Sequence, residues 1–329
     1  MPETKPVSSA ATPSSVNHSE PGLAARIARL CAGDRRELAA CVTDLESMSP
    51  AAPALLQGLQ PLLGQALVVG ITGPPGAGKS TLVNAVIAVA RASARRVAVI
   101  AVDPSSPLSG GAILGDRLRM THALDDEGVY VRSLSSAGYL GGLSPAAVRV
   151  IDALDAAGFG LILLETVGTG QSEMDVAEVA DVRVVVSAPG LGDDIQAMKS
   201  GLLEIADILV VNKGDREGAE RTVHQLMGAL SIRASEAHAA VPVLKTTATT
   251  GEGAGELLGA IDAAGVRVAA GGTLARRRRR ARYLIARAAA DLVRVSIQRG
   301  GQGGLDALAD EVLTGRTTPQ DAAKRALEG

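Results

Sequence analysis

The chain has 329 residues, 47% of them apolar, which is enough for one large domain with appendages or for two domains. Its 33 basic and 35 acidic residues nearly cancel, and it holds no Trp, one Phe and three Tyr. The balanced charge excludes a bulk polyanion-binding surface, and the scarcity of aromatic rings argues against base stacking, so we expect no nucleic-acid partner.

No apolar run approaches the length of a membrane span, and the first residues lack an apolar signal region. We therefore expect a cytoplasmic protein with no membrane partner. Cys31 and Cys41 lie in an apolar context, and we interpret both as core thiols in a reducing compartment.

In chain order, residues 1–21 are rich in Ser, Pro, Thr and Ala, which indicates a disordered leader. Residues 22–65 form a predicted N-terminal helical segment. Apolar residues recur there at helical spacing in two stretches, and Leu55–Leu63 is a third apolar segment that leads into the first strand.

Residues 66–270 alternate short aliphatic runs with helical stretches, which predicts a doubly wound, mostly parallel α/β domain. The predicted strands are Ala66–Thr72, Arg96–Val102, Val129–Arg132, Leu161–Glu165, Val182–Ser187, Ile208–Asn212 and Pro242–Thr246. Among the helices, Ser144 is a predicted cap and Pro145 occupies the first turn after it.

Residues 271–329 form a predicted C-terminal helical arm whose apolar stripes pack either on the same domain or on a second copy of the chain. Arg276–Arg280 is a basic run, interpreted as a solvated helix face, with a phosphate or acidic-partner site as the alternative. Gly300–Gly304 is a predicted break, and Thr318–Asp321 resembles a capping box that opens the last helix.

The stretch from Gly73 to Ser80 reads G-x-x-x-x-G-K-S, between a predicted strand and a predicted helix, which is the context of a phosphate-binding loop. Lys79 is expected to reach the β- and γ-phosphates, and the Ser80 hydroxyl to bind Mg²⁺. The predicted phosphate-contacting residues are Gly73, Pro74, Pro75, Gly76, Ala77, Gly78, Lys79, Ser80 and Thr81.

A second motif, Asn212-Lys213-Gly214-Asp215, directly follows a predicted strand. The Asp215 carboxylate can accept both N1–H and N2–H₂ of guanine, a donor pair that adenine lacks. Asn212 is expected to tether this motif to the phosphate loop, and the stem of Lys213 to cover the base. The backbone of Thr247-Ala248-Thr249 is expected to meet guanine O6.

Glu165-Thr166-Val167-Gly168 is a candidate γ-phosphate sensor, in which Glu165 binds Mg²⁺ directly or through water and Gly168 meets the phosphate. Asp103 and Asp116 flank a polar loop and can reach the metal or cap a helix. Gln171 can orient the attacking water or simply begin a helix.

With these motifs, the chain resembles the methylmalonyl-CoA mutase-associated GTPase family (MeaB, also called ArgK), in the G3E group of P-loop GTPases. The similarity extends from about Leu23 to about Ile297. The blocks that carry it are Val69–Leu82, Val102–Pro107, Gly110–Met120, Glu165–Glu173, Pro189–Asp215 and Gly251–Gly253.

The resemblance implies a P-loop GTPase fold with N-terminal helices and a C-terminal helical arm that forms a homodimer. It also implies GTP and GDP as ligands, Mg²⁺ as cofactor, and an adenosylcobalamin-dependent acyl-CoA mutase as the partner whose cofactor loading the GTPase gates. Switch segments would correspond to Asp103–Met120, Glu165–Glu173 and about Pro189–Lys199.

The alternative functions are a metallochaperone of the same group, a small-molecule kinase, and a non-catalytic binding module. A metallochaperone needs Cys and His ligands at close spacing, whereas the four histidines of this chain are scattered. A kinase passes phosphate to an acceptor instead of water.

Overall fold

The architecture is seen in a computed structural model that describes residues 20–103, 126–135, 143–166, 171–190, 201–233, 241–299 and 302–328. All but the last two residues of the predicted leader, 1–21, lie outside this range, and those two belong to the first helix.

Within the described residues, seven strands form one sheet in the order β3-β2-β4-β1-β5-β6-β7, and every neighbouring pair is parallel. The strands are β1 (Leu67–Thr72), β2 (Val97–Asp103), β3 (Val129–Ser135), β4 (Leu161–Thr166), β5 (Val182–Ser187), β6 (Ile208–Val211) and β7 (Val243–Lys245). All seven predicted runs are strands, so the doubly wound α/β prediction is confirmed. The strand order reverses at β1, which has β4 on one side and β5 on the other, and ligands bind at such a point in open parallel sheets.

Helices cover both faces of the sheet. They are α1 (Glu20–Cys31), α2 (Arg35–Ser47), α3 (Ala52–Leu59), α4 (Lys79–Ala92), α5 (Pro145–Ala156), α6 (Gln171–Val179), α7 (Leu202–Ile205), α8 (Ala219–Arg233), α9 (Ala254–Ala270), α10 (Thr273–Arg299), α11 (Gln302–Leu313) and α12 (Pro319–Glu328). The predicted cap of α5 is present, since the Ser144 hydroxyl accepts from Ala146 N and Pro145 is the first helical residue.

The central strands are apolar on both sides because each side faces a different core. Val68 and Ile162 belong to the core that α2, α3, α5 and α6 cover. Val69 and Leu163, their neighbours in sequence, belong to the core beneath α4 and α9. Alternate residues of a strand point to opposite faces, so two cores require continuous aliphatic strands.

The N-terminal helices lead into β1 through a junction held by Asp155 of α5, which is buried. Its carboxylate accepts hydrogen bonds from the backbone nitrogens of Gly64 (2.5 Å), Gln65 (3.1 Å) and Ala66 (2.9 Å). Three backbone donors on one buried carboxylate satisfy its charge and fix where β1 begins.

The two cysteines occupy different environments, so the prediction that both are core thiols is wrong for one of them. Cys41 is fully buried, and its burial together with a hydrogen bond to Glu37 raises the pKa of its thiol to about 12. Cys31 is exposed, at the last position of α1. Helical spacing predicts one buried side of α1, and only the packing shows that Cys31 lies outside it.

The interpretation of Arg276–Arg280 as a solvated face is also wrong for most of the run. Arg276 and Arg280 turn inward onto Asp181, whose side chain has 0% exposure, at 3.3 and 2.7 Å. Arg276 also donates to Gly64 O at 2.8 Å. These guanidinium groups pair with a buried carboxylate and with carbonyls, so they attach α10 to the sheet domain.

At the far end of the arm, Asp321 N donates to the Thr318 hydroxyl oxygen at 3.2 Å, as a helix cap requires. The Asp321 carboxylate accepts from that same hydroxyl, instead of from Thr318 N as in a capping box.

Among the described residues, no single helix combines the length and the apolar character needed to cross a membrane. The joined segments Ala254–Ala270 and Thr273–Ile297 meet those criteria together, around a bend of 92°.

Candidate functional site

The predicted phosphate loop connects the end of β1 to the start of α4 at the point where the strand order reverses. Gly73 has φ 139°, and a Cβ there would lie 2.0 Å from the carbonyl oxygen of Val186 in β5. Gly78 has φ 88°, and a Cβ there would lie 2.4 Å from Asn212 Nδ2. Both glycines are therefore required by close approach as well as by backbone conformation.

Between these glycines the loop has a buried and an exposed part. Ala77 is fully buried, with its N–H donating to Pro74 O at 3.3 Å, whereas Pro75 and Gly76 are exposed. Thr81, in the first turn of α4, is also exposed. The N-terminus of α4 provides backbone donors and the positive end of its dipole at this loop.

Lys79 and Ser80 open α4, and both are buried. Lys79 Nζ donates to the carbonyl oxygens of Gly73 (2.8 Å) and Pro74 (3.0 Å), so the ammonium lies over the loop. Ser80 Oγ donates to Glu165 Oε1 at 2.6 Å. The predicted phosphate-binding and sensor motifs therefore meet through a hydroxyl and a carboxylate.

The donor set fits a magnesium ion. Ser80 and the 4% exposed Glu165 put hard oxygen ligands side by side next to the phosphate loop, and Mg²⁺ in nucleotide sites is held by one or two such ligands together with phosphate oxygens. Asp103 is the last residue of β2. The residue before it, Val102, pairs with Thr166 of β4, which directly follows Glu165 in the sequence. The Asp103 side chain is outside the described residues, as is Asp116, so their metal roles remain predictions.

Asn212 connects three loops of the site. Its amide Nδ2 donates to Ala77 O at 2.9 Å and lies 3.4 Å from Gly78 O, both in the phosphate loop. Its Oδ1 accepts from Ala248 N at 3.1 Å and from the Thr246 hydroxyl at 3.2 Å. The amide is buried with both ends engaged, so it is the tether that the sequence predicts.

The residues after Asn212 turn outward. Lys213 has φ 58°, a left-handed conformation, and Asp215 is exposed. Gly214 N donates to Thr246 O at 2.9 Å, and a Cβ on Gly214 would lie 2.8 Å from Lys245 Cγ. The Asp215 carboxylate is thereby accessible at the same edge of the sheet as the phosphate loop.

The Thr247-Ala248-Thr249 loop is a tight turn. Thr247 N donates to Glu252 O, and Thr247 O accepts from the backbone nitrogens of Thr250 and Gly251, each at 3.0 Å. This turn holds Ala248 N toward Asn212, while Thr249 remains exposed.

The roles of two further site residues, Gly168 and Gln171, stay predictions. Gly168 lies outside the described residues. Gln171 is the first residue of α6, but its side chain is not described, so both interpretations of Gln171 remain open.

Sequence reasoning placed Thr246 at the end of a strand but not in the site, although Thr246 is 1% exposed and its hydroxyl donates to Asn212 Oδ1. Its position directly before the predicted guanine loop was a usable signal. It also missed Val186, whose carbonyl confines Gly73. No local pattern marks that contact.

A parallel sheet with a phosphate loop at its switch point, and a carboxylate-bearing loop tethered to it, defines a P-loop nucleotide-binding protein of the GTPase type. The model of the family described as methylmalonyl Co-A mutase-associated GTPase MeaB matches residues 38–313. The chain belongs to this family, which is a family of P-loop GTPases.

Similarity to individual proteins agrees with this assignment. A protein of Pyrococcus horikoshii that carries a GTPase name is 50% identical over 234 residues, which are 70% of this chain and 74% of the relative. The mitochondrial methylmalonic aciduria type A homolog of Mus musculus is 38% identical over 193 residues, 57% of this chain and 46% of that protein. The crystal structure of an LAO/AO transport system kinase aligns with a TM-score of 0.74 and 28% identity, covering 96% of this chain and 99% of that one.

Proposed function

We propose that this protein binds GTP with Mg²⁺ and hydrolyses it to GDP and phosphate. The observation that carries the proposal is Asn212, which bonds to Ala77 of the phosphate loop and to Ala248 of the third loop. One side chain thereby sets the distance between the predicted triphosphate and guanine subsites. A nucleotide that fits both is held at two ends, and only guanine satisfies the Asp215 carboxylate.

The residues of the site have different roles, which follow from their positions. The backbone donors of the loop and the N-terminus of α4 receive the phosphates, and the Lys79 ammonium exchanges its contacts with the Gly73 and Pro74 carbonyls for phosphate oxygens. Ser80 and Glu165 would hold Mg²⁺, which neutralises phosphate charge when bound. Catalysis then consists of orientation and preorganised positive charge.

The proposed client is an adenosylcobalamin-dependent acyl-CoA mutase, whose cofactor loading the GTPase gates and which it protects from inactivation. Support comes from the description of the family as mutase-associated and from the name of the mouse relative. The same resemblance suggests a homodimer formed through the arm.

Kinase activity on a small molecule is a second candidate, favoured by the name of the structural relative. The GTPase and kinase activities differ in where the transferred phosphate goes. A GTPase releases inorganic phosphate without any acceptor, whereas a kinase requires one.

Single-turnover hydrolysis with excess protein tests the proposal. We expect phosphate release from GTP without an acceptor, and a rate at least about 100-fold lower in Lys79→Ala, since one lost electrostatic donor costs about that much. Lys324→Ala, at the exposed end of the arm, is the control and should retain the rate. Equal affinity for ATP and GTP in calorimetry, or an unchanged rate in Lys79→Ala, would contradict the proposal.

The client is tested separately by adding a purified mutase. We expect hydrolysis to accelerate in its presence, and a rate that does not respond would remove the mutase from the proposal while leaving the GTPase in place.

A further inference from the structure

Helix α6 connects the predicted γ-phosphate sensor to the C-terminal arm. It begins at Gln171, three residues after Gly168 of the E-x-x-G motif, and ends at Val179, three residues before the start of β5. Two separate groups of side chains from α10 contact it. Among the described residues, this short helix thus lies between the sensor motif in the sequence and the arm that packs against it.

The first contact is a cap on the C-terminal end of α6. Arg279 Nε donates to Glu178 O at 3.1 Å, and Arg280 Nε donates to Val179 O at 2.9 Å. Arg280 Nη2 also pairs with the buried Asp181 at 2.7 Å. Guanidinium groups at the negative end of a helix satisfy its last carbonyls. The Arg280 part of this contact is buried, with the Arg280 and Asp181 side chains 6% and 0% exposed, so Arg280 and Asp181 act as a fixed pivot.

The second contact is nearer the sensor and centres on Asp175, in the middle of α6. Asp175 Oδ2 accepts from Leu143 N at 2.8 Å, forms an ion pair with Arg287 Nη2, and lies 3.3 Å from the Tyr283 hydroxyl oxygen. That hydroxyl donates to Leu143 O and accepts from Arg287 Nε at 3.3 Å. Two α10 side chains, one α6 carboxylate and the residue ahead of the α5 cap thus form one network.

The contact of α10 with Asp181 and its contact with Asp175 differ in how easily the paired groups separate. Asp181 is 0% exposed, whereas the side chains of Asp175 and Arg287 are 18% and 30% exposed. Separating a half-buried pair leaves its charges within reach of water, and separating a fully buried one does not. The Asp175 network is thus the contact that can break while the cap holds.

We propose that Tyr283 and Arg287 are positioning residues for the GTP site, which act through Asp175 by setting the orientation of α6, the helix that follows the sensor motif in the sequence. This inference rests on the proposed GTP function. Because linkage is reciprocal, an arm that favours one orientation of α6 changes the affinity for the γ-phosphate, and the γ-phosphate changes the stability of the arm contact by the same factor. The arm thereby senses which nucleotide is bound.

Arg287→Met tests the inference, because it removes the charge and retains an apolar stem. Tyr283→Phe is the milder second variant, which removes only the hydroxyl. Arg294→Met is the matched control: it lies on the same helix and pairs with Asp291 one turn away, and its side chain is 62% exposed. The readout is the ratio of the dissociation constants for GDP and for a non-hydrolysable GTP analogue.

We expect the ratio to change at least about fivefold in Arg287→Met, the lower end of typical coupling between sites, and in the same direction in Tyr283→Phe. The control should stay within about twofold of the wild type. A purely structural role would lower the melting temperature and leave the ratio unchanged. Hydrogen exchange gives the reciprocal readout: protection of α10 amides near residue 287 should differ between the two nucleotides in the wild type and not in Arg287→Met.

Two failures are distinguishable. A wild type that binds neither nucleotide contradicts the proposed function, and the inference falls with it. If the wild type discriminates the two nucleotides, and the folded variants Arg287→Met and Tyr283→Phe discriminate them equally well, the inference alone is overturned.

Discussion

Asn212 and Gly78 constrain each other at the centre of the site. The amide Nδ2 lies 3.4 Å from Gly78 O, in the space that a Cβ at position 78 would enter. A larger residue at 78 would therefore displace the tether as well as strain a backbone with φ 88°. The distance between the two proposed nucleotide subsites depends on this one contact.

Asp215 gives a residue-scale prediction about base selection. Asp215→Asn replaces a carboxylate, whose two oxygens both accept, by an amide that places a donor against guanine. GTP affinity should therefore fall about 10- to 100-fold, the range of a lost charged hydrogen bond. Calorimetry with GTP measures it, and the melting temperature should not change because Asp215 is exposed. Glu217→Gln, two residues on and also exposed, should bind GTP like the wild type. Equal losses in both variants would argue for a general charge effect.

At the scale of elements, α5 carries two carboxylates with opposite effects on the stability of the fold. Asp155 accepts three backbone N–H groups at the start of β1. Asp152, one turn earlier, is partly buried and lines a cavity of about 1000 Å³ among α2, α5 and α10. Burial, reinforced by the charge of Asp155, raises the pKa of Asp152 from 3.8 to about 6, although Arg280 and Arg277 act against the shift.

The raised pKa of Asp152 predicts a pH-dependent change in the free energy of unfolding. Between about pH 4 and 6 the folded state holds more protons than the unfolded state, so stability falls as pH rises and the penalty is complete above the folded pKa of about 6. Asp152→Asn should therefore gain up to about 3 kcal/mol over the wild type at pH 7.5 and much less at pH 4.

Urea unfolding of both proteins at the two pH values measures this difference. Asp306→Asn, at an exposed position of α11, is the control and should show no pH-dependent gain. A gain of the same size at both pH values would assign the effect to packing instead of ionisation.

At the scale of the whole molecule, the arm leaves large apolar side chains in solvent. Ile285 and Leu292 of α10 are 69% and 72% exposed, and Leu313 at the end of α11 is 83% exposed. Such side chains on consecutive helices of one appendage are typical of a surface that another chain covers. This favours the proposed dimer through the arm.

Leu292→Glu tests the dimer. A carboxylate buried in an apolar interface is costly, so light scattering should change from the dimer mass to the monomer mass, with GTP affinity retained. Val266→Glu is a closely matched control, since Val266 is also 72% exposed but lies on α9, and it should remain dimeric. A wild type with the monomer mass, or dissociation of both variants, would contradict a dimer through α10.

Sequence by itself determined the strands and the two nucleotide motifs. Runs such as Leu161–Leu164 are identifiable because a strand buried on both faces must be continuously apolar, which is a local property. The phosphate loop is identifiable because its glycines, Lys79 and Ser80 lie within one turn and one helix end, where spacing along the chain equals spacing in space.

The tertiary structure alone decided which distant groups meet. Arg280 reaches Asp181, and Arg287 reaches Asp175, across about a hundred residues of chain, as the sequence separations of 99 and 112 record. Whether an arginine faces water or a buried carboxylate depends on what packs against its helix, and periodicity does not specify that partner. Amphipathic spacing showed that α1 and α10 each have a buried face, but only packing decided that Cys31 is exposed and that the basic run holds the arm in place.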